Sequence, residues 1–140
     1  NAKLILFRKI LRKKTKIISD KDILPFKILK KISKQRGLKI VDINSEFLIV
    51  KNQLPTFPDF KKKNLAMAIY AAKICGLKDH LIYGKIKKIN DVNGRLELVK
   101  KFPNKIKVFL DYAHTPDALL KTLMCLKNDN YDTILFQMRF

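Results

Sequence analysis

The sequence is poor in cysteine. Its 140 residues include two, Cys75 and Cys125, which lie far apart, each within an apolar pattern of helical spacing. Metal sites built on cysteine usually show a C-x-x-C pair or histidines close by, and neither accompanies these thiols. We therefore expect both to be buried, reduced thiols rather than metal ligands. This use of cysteine points to a cytoplasmic protein.

Long apolar runs are also missing. No stretch approaches the roughly 18 residues needed to cross a bilayer, and there is no signal-peptide pattern. We therefore expect no membrane partner. Hydrophobic residues still make up 47% of the chain, which is enough for a core and argues against global disorder. There is no internal repeat or low-complexity linker, and the length suits one domain or two partial ones.

Acidic residues are scarce, because 12 Asp and Glu stand against 31 Lys and Arg, a formal charge of +19. Such a balance is typical of proteins that bind nucleic acid or acidic membranes, and also of lysine-biased proteomes. Lysine far outnumbers arginine here and falls on nearly every segment, whereas a dedicated nucleic-acid surface usually combines arginine with aromatic residues. The sequence therefore favours composition bias, and nucleic-acid binding is the alternative.

Apolar spacing in the first half of the chain predicts alternating helices and strands. Helices are predicted over residues 2–13 and 23–35, and strands over residues 15–19, 38–43 and 47–50. Gly37 is expected to end the second helix. This alternation indicates a layered α/β fold with some parallel strand pairing. A loop is predicted over residues 51–63, since Pro55 and Pro58 suit neither a helix interior nor a central strand.

An alanine-rich helix is predicted over residues 64–75, ending at Gly76. Its small residues would allow close packing on several faces, so we expect it to be well buried. Asn64 is predicted at its start, where asparagine either caps the helix or contacts a ligand, and local reasoning favours the cap. A shorter helix is predicted over residues 78–89, with His80 on the surface or in a structural role.

The clearest stretch runs from residue 91 to residue 123. Val92-Asn93-Gly94 breaks the helical pattern, so the predicted domains are residues 1–92 and 93–140. Strands are predicted over residues 95–102, 105–110 and 131–136. The second of these stops at Asp111-Tyr112-Ala113-His114-Thr115-Pro116, where Thr115 would cap a helix that begins at Pro116. Open α/β sheets place ligands at such strand ends, although an ordinary capped strand–turn–helix has the same pattern.

The segment Asp111-Tyr112-Ala113-His114-Thr115-Pro116-Asp117-Ala118-Leu119, preceded by Gly94-Arg95-Leu96-Glu97, closely resembles the Mur ligases, and within them the MurE type. Elsewhere, Ala2-Lys3-Leu4 followed by Phe7 is similar to the family segment whose lysine is carbamylated. Asn64 and the alanine-rich helix resemble the end of the family's central ATPase domain. The resemblance therefore implies an α/β fold that joins the latter part of that central ATPase domain to the start of a Rossmann-like C-terminal domain.

The resemblance also implies a chemistry. Mur ligases phosphorylate a substrate carboxylate with ATP and let an amine attack the acyl phosphate, which forms an amide. ATP and Mg²⁺ would be the cofactors, and UDP-N-acetylmuramoyl-dipeptide and a diamino acid the partners. Carbamylation would turn Lys3 into an oxygen ligand suited to Mg²⁺. Arg95 would reach the nucleotide phosphates, as a fork of donors suits an anion.

The remaining site residues follow from the same resemblance. Asn64 would touch the adenine side of the nucleotide, and Asp111 would accept from the ribose hydroxyls. Tyr112 and His114 would lie beside the nucleotide.

The sequence also departs from the family pattern. It contains no glycine-rich phosphate loop, and Pro58 stands where the family usually has glycine. The family's glycine-rich turn with Arg-Asp is replaced by Gln137-Met138-Arg139-Phe140, and the chain begins with Asn1. We therefore expect a fragment of a larger ligase that is catalytically inactive and poorly stable alone. A relic of a disrupted ligase gene is the remaining alternative.

Overall fold

The computed structural model describes residues 2–128 and 133–134 and divides into two compact units. The first unit runs to Lys88 and the second begins at Ile89, a few residues before the predicted boundary. Helices and strands both occur, so the predicted α/β class is confirmed. The match between these units and Mur ligase domains stays a prediction.

The first unit is built around a parallel pair of strands. Strand β1, Lys16–Ser19, pairs with β2, Lys39–Asp42, and Ile17 lies opposite Ile40. Helix α2, Phe26–Arg36, connects them and ends at Gly37, which adopts φ 65° in the left-handed region. This is the parallel pairing that the helix–strand alternation predicts, because parallel strands need a crossover connection.

The first helical segment is shorter than predicted. Helix α1, Ala2–Ile5, continues as a π-helical segment, Leu6–Ile10, and Leu11 is extended. The Arg36 guanidinium donates to the Leu11 carbonyl at 3.0 Å, so this carbonyl is satisfied from α2 rather than by a further helical turn. The prediction of a helix to residue 13 is therefore wrong at its end.

The predicted strand over residues 47–50 is wrong, since this segment belongs to helix α3, Asn44–Gln53. Burial follows the helical period, with Ile43, Glu46 and Val50 at 1%, 5% and 0% exposure. The short apolar run Phe47–Val50 suits a strand locally. Packing of α3 against the next helix overrides that preference.

Helix α4 spans Asp59–Ile74 and starts directly after Pro58, so the predicted loop over residues 51–63 is too long. Pro58 is accommodated because it precedes the first helical residue, where a missing N–H costs nothing. One face of the helix is buried, through Lys62, Ala66 and Ile69. Ala68 is exposed, so the expectation of a helix buried on several faces is wrong.

Two short helical segments complete the first unit. Helix α5, Asp79–Tyr83, is followed by a 3₁₀ turn, Ile86–Lys88, so the predicted helix over residues 78–89 is interrupted at Gly84. Ile86 is 1% exposed and packs with Val50 and Ile69 in one core. A second core contains Leu4, Leu29 and Ile32.

A polar network joins α3, α4 and α5. Glu46 is buried and accepts from the Lys73 ammonium at 2.9 Å and from the Tyr83 hydroxyl, while Lys73 also bonds Asp79 at 3.0 Å. Interaction with Tyr83, together with the bonds to these carboxylates, raises the Lys73 pKa above its usual value. Burial and the bond to Glu46 raise the Tyr83 pKa. The protonated forms of both groups therefore stabilise this packing.

The second unit contains an antiparallel hairpin and one helix. Strands β3, Glu97–Lys101, and β4, Lys107–Leu110, pair with a bulge between Leu98 and Lys100, and helix α6 spans Pro116–Asn128. Both strands and the helix confirm the sequence prediction. Most of the strand predicted over residues 131–136 lies outside the described residues, and Thr133 and Ile134 are in neither helix nor strand.

Cys75 is a free thiol, and the burial of both cysteines differs from the prediction. Cys75 is exposed because α4 ends one residue earlier, and Cys125 is half-buried in α6. His80 is exposed, as predicted for a surface histidine. Within residues 2–128 and 133–134, no helix combines the length and apolar character that a bilayer span requires.

Candidate functional site

Four of the six predicted site residues lie in the second unit, on two neighbouring turns. One turn, residues 111–115, links the carboxyl end of β4 to α6. The Thr115 hydroxyl accepts from the Ala118 N–H at 3.3 Å, which confirms its predicted capping role and lets α6 begin at Pro116. The other turn, residues 94–96, precedes β3.

Asp111 joins these two turns. Its Oδ2 accepts from the Leu96 N–H at 2.6 Å, and its Oδ1 accepts from the Ala113 N–H at 2.7 Å. The hydroxyl of the buried Thr122, on α6, lies 3.5 Å from Oδ1. Bonds from a carboxylate to backbone N–H groups are among the stronger ones in proteins. The carboxylate therefore fixes the 94–96 turn, its own turn and the start of α6 relative to one another.

Gly94 is required where the turns meet. Its φ of 67° is in the left-handed region, and a Cβ there would lie 2.1 Å from Cε2 of Tyr112. The Tyr112 N–H donates to the Gly94 carbonyl at 2.9 Å, and the Gly94 N–H donates to Oε2 of Glu97 at 2.6 Å. Any side chain at residue 94 would displace the Tyr112 ring, so the glycine and the tyrosine depend on each other.

The outer surface of these turns presents a cation, an aromatic ring and an imidazole. The Arg95 Cζ lies 5.7 Å from the centroid of the Tyr112 ring, and the two side chains are exposed. Nδ1 of His114, also exposed, lies 2.9 Å from the Tyr112 carbonyl oxygen. A guanidinium can bind an anion through several donors, and an exposed ring can stack on a planar group. Arg95 and Tyr112 can therefore contact one anionic, aromatic ligand, and His114 lies on the same turn as Tyr112.

The other two predicted site residues belong to the first unit. Asn64 is exposed in the second turn of α4, so the prediction that it stands at the start of this helix, and the capping role favoured for it there, are wrong. Lys3 lies in α1, and its side chain lies outside the described residues. The structure thus groups Arg95, Asp111, Tyr112 and His114 within a single unit.

Sequence reasoning missed the role of Lys63. Its ammonium pairs with Asp20, which follows β1, and lies 3.5 Å from Oδ2 of Asp22. The hydrogen bond to Asp20 raises the Lys63 pKa above its usual value. This pair attaches the turn of α4 that carries Asn64 to the carboxyl end of β1. Lys63 lies directly before Asn64, and this position was the one signal in the sequence. No local pattern could predict its pairing with Asp20, because the two residues are more than 40 positions apart.

The described residues offer no ready-made metal site. Among them, no three His, Cys, Asp or Glu side chains are grouped as metal ligands would be.

Among the comparisons with known proteins, the search of curated proteins finds relatives, and those reported below share one name. No family model matches the chain, and no solved structure matches it. A UDP-N-acetylmuramoyl-L-alanyl-D-glutamate--2,6-diaminopimelate ligase from Chelativorans sp. is 28% identical over 102 residues, which are 73% of this chain and 21% of that protein. The ligases of the same name from Rickettsia bellii and Vibrio cholerae are each 36% identical, over 74 and 73 residues. Those matches cover 53% and 52% of this chain, and 15% and 14% of the two relatives.

Proposed function

Since the curated relatives are Mur ligases of the MurE type, which confirms the resemblance seen in the sequence, we propose that this chain serves an ATP-dependent, amide-forming ligase of peptidoglycan synthesis. The chain spans about a fifth of the length of these relatives. Its own part in the reaction would be to supply one wall of the nucleotide site.

The geometry around residues 94–96 and 111–115 carries this proposal. Arg95, Tyr112 and His114 are all exposed, while Asp111 and Gly94 hold the turns beneath them. In this proposal the Arg95 guanidinium binds nucleotide phosphate and the exposed Tyr112 ring lies against the nucleotide. His114 would contribute a further hydrogen bond.

The structure changes the role proposed for Asp111. Both of its carboxylate oxygens already accept backbone N–H bonds, so a ribose hydroxyl would have to use the remaining lone pairs. We propose that its main task is to position the neighbouring side chains. Carbamylation of Lys3 and an adenine contact from Asn64 stay as further proposals.

The substrates are proposed from the relatives' names. The complete reaction would join 2,6-diaminopimelate to UDP-N-acetylmuramoyl-L-alanyl-D-glutamate with consumption of ATP. Phosphoryl transfer requires tight electrostatic control of the phosphates, and this sequence contains no glycine-rich phosphate loop. We therefore propose that the 140-residue chain binds ATP without turning it over.

The test is an ATP titration of the chain followed by NMR. The backbone amides of Tyr112 and His114 should shift, and Arg95→Ala should weaken ATP binding by roughly 10-fold or more, since a hydrogen bond to a charged group contributes about 1.5–3 kcal/mol. Arg12→Ala is the matched control, because Arg12 is also an exposed arginine but lies in the first unit. An equal loss in both variants would show that ATP responds to net charge alone and would contradict the proposal.

Turnover is tested separately by phosphate release in the presence of ATP, Mg²⁺ and both proposed substrates. We expect none above background. Steady hydrolysis that Arg95→Ala abolishes would show that the chain is an active enzyme by itself.

A further inference from the structure

Helix α2 exposes a basic surface that the proposed nucleotide site does not use. Its outward face carries four lysines, Lys27, Lys30, Lys31 and Lys34, which we call the α2 basic face. Their spacing of three, four and seven residues places them on one side of the helix, over a length of about 10 Å. All four are exposed, and within the described part of the chain none of them forms an ion pair with a carboxylate.

A groove runs along one side of this face. It has a volume of about 500 Å³ and is lined by the four lysines together with Ser33, Leu38 and Ile40. Ser33 is 3% exposed, and its hydroxyl has no hydrogen-bond partner among the described residues. A buried hydroxyl without a partner costs stability, so the groove keeps an unused polar group next to its cations.

A second groove lies on the other side of α2. It has a volume of about 370 Å³, and its polar lining comes from Arg8, Lys31, Gln35 and Arg36. Lys31 borders both grooves, so the positive surface is continuous across the helix. The Arg36 guanidinium is partly occupied by the Leu11 carbonyl, which holds its fork in place at the groove.

We propose that the α2 basic face and its two grooves bind the phosphate backbone of a nucleic acid. Cations spaced along a ridge and continued on both of its sides match an extended polyanion, whereas a single phosphate ion is better held by groups that converge. An acidic membrane fits less well. Leu29 and Ile32 of the same helix are buried in the core, which leaves Ile28, 44% exposed at the second groove, as the main apolar contact for a bilayer.

The α2 basic face also bears on whether the high positive charge reflects a general composition bias or nucleic-acid binding. Lysines spread along the sequence favour a general bias, but the helical spacing of α2 places four of them on one face, beside two arginines and without a carboxylate partner among the described residues. If this surface binds nucleic acid, removing lysine charge on α2 should weaken binding more than removing the same charge elsewhere. If the net charge alone matters, the position of the removed lysines should make no difference.

The experiment compares two fourfold variants with the same net charge. One carries Lys→Gln at the four lysines of the α2 basic face. The other carries Lys→Gln at four exposed lysines elsewhere in the first unit, namely Lys78, Lys85, Lys87 and Lys88. Binding to a fluorescein-labelled DNA duplex of mixed sequence is measured by anisotropy over a range of salt concentrations. Far-UV circular dichroism checks that both variants keep their helices, as expected because glutamine is a good helix former.

The salt dependence decides the result. Each lost phosphate contact reduces the slope of log K against log salt by about 0.9, so the α2 variant should lose up to about 3.6 in slope and the control less than about 1. Should the fourfold α2 variant lose its helicity, the double variant Lys27→Gln/Lys34→Gln takes its place, with an expected loss of about 2. The fourfold α2 variant should keep the ATP-induced shifts of the Tyr112 and His114 amides, which separates this site from the proposed nucleotide site.

Three results would overturn the proposal. The first is an equal loss of slope in the two fourfold variants, and the second is the absence of DNA binding by the unmodified chain. The third is a reduced binding of the α2 variant to vesicles containing phosphatidylserine while DNA binding stays intact, which would assign the surface to a membrane.

Discussion

Asp111→Ala removes the carboxylate that ties together the two turns of the candidate site. The variant leaves the Leu96 and Ala113 N–H groups without their acceptor, and both of these bonds are short, at 2.6 and 2.7 Å. A hydrogen bond to a charged group contributes about 1.5–3 kcal/mol, so two give an upper range of about 3–6 kcal/mol. Asp111 is half-buried, and water can partly replace it. We expect a loss of about 2–4 kcal/mol in the local stability of these turns.

Native-state hydrogen exchange of the Leu96 and Ala113 amides measures this loss directly. Each 1.4 kcal/mol of local stability corresponds to about a tenfold faster exchange, so both amides should exchange roughly 30-fold to several hundredfold faster. Asp117→Ala is the matched control, because this carboxylate is exposed and forms an (i, i+4) pair with Lys121 at 2.7 Å. Such a surface pair contributes about 0.5 kcal/mol or less.

The refuting result is clear. If the Leu96 and Ala113 amides exchange no faster in Asp111→Ala than in Asp117→Ala, the Asp111 carboxylate does not hold the turns together. In Asp111→Asn the exchange rates of these amides should fall between those in Asp111→Ala and those in Asp117→Ala. The asparagine amide oxygen can keep one of the bonds, while its NH₂ group faces the other donor.

Other predictions concern single groups. Gly94→Ala should destabilise the second unit by about 1–3 kcal/mol, because of its φ of 67° and the clash with the Tyr112 ring, and urea denaturation measures this. Ser33→Ala should raise the free energy of unfolding by about 1 kcal/mol, since it removes a buried hydroxyl that has no partner among the described residues. An unchanged or lower value would show that the hydroxyl is satisfied. The pKa of Lys73 is raised above 10.5 and that of Tyr83 above 10.0, so folding favours their protonated forms. The stability that these shifts contribute is present below about pH 10 and is lost as the pH rises through the folded-state pKa values. The urea midpoint of the unmodified chain should therefore fall between pH 9 and pH 12. In Tyr83→Phe the midpoint should fall by less over the same range.

Local patterns predicted several elements correctly, and the reason is physical. Gly37 ends α2 because a left-handed residue closes a helix with little strain. Thr115 caps α6 because its hydroxyl reaches an N–H three residues later. The hairpin of the second unit follows from two strand-forming runs on either side of Pro103-Asn104. Each of these interactions is completed within a few residues, so the sequence shows it directly.

One error occurred where distant residues decide, and two occurred at the ends of a helix. The run Phe47–Val50 has a strand-like composition, yet α3 forms because Val50 packs into a core with Ile69 and Ile86. The start of α4 was placed at Asn64, whereas the helix begins at Asp59, since Pro58 allows a helix to start directly after it. Cys75 was expected to be buried, but it lies past the end of α4.

The candidate site shows the same division. The motif around Asp111 and the Gly94-Arg95 pair pointed to the candidate residues and to the resemblance to Mur ligases, since the resemblance resides in a contiguous run of side chains. The sequence did not indicate that the Asp111 carboxylate is bound by the Leu96 N–H, because that bond joins residues 15 positions apart.

The sequence by itself determined the α/β class, the capped turn after β4, the family resemblance and the identity of Arg95, Tyr112 and His114 as candidate nucleotide contacts. These follow from local backbone chemistry and from contiguous motifs. Only the tertiary structure decided that Asp111 positions the turns, that Lys63 binds Asp20, and that the four α2 lysines lie beside Ser33 with no carboxylate partner among the described residues. Those features depend on which segments pack together, because hydrogen bonds and charge pairing act over a few ångströms in space regardless of separation along the chain.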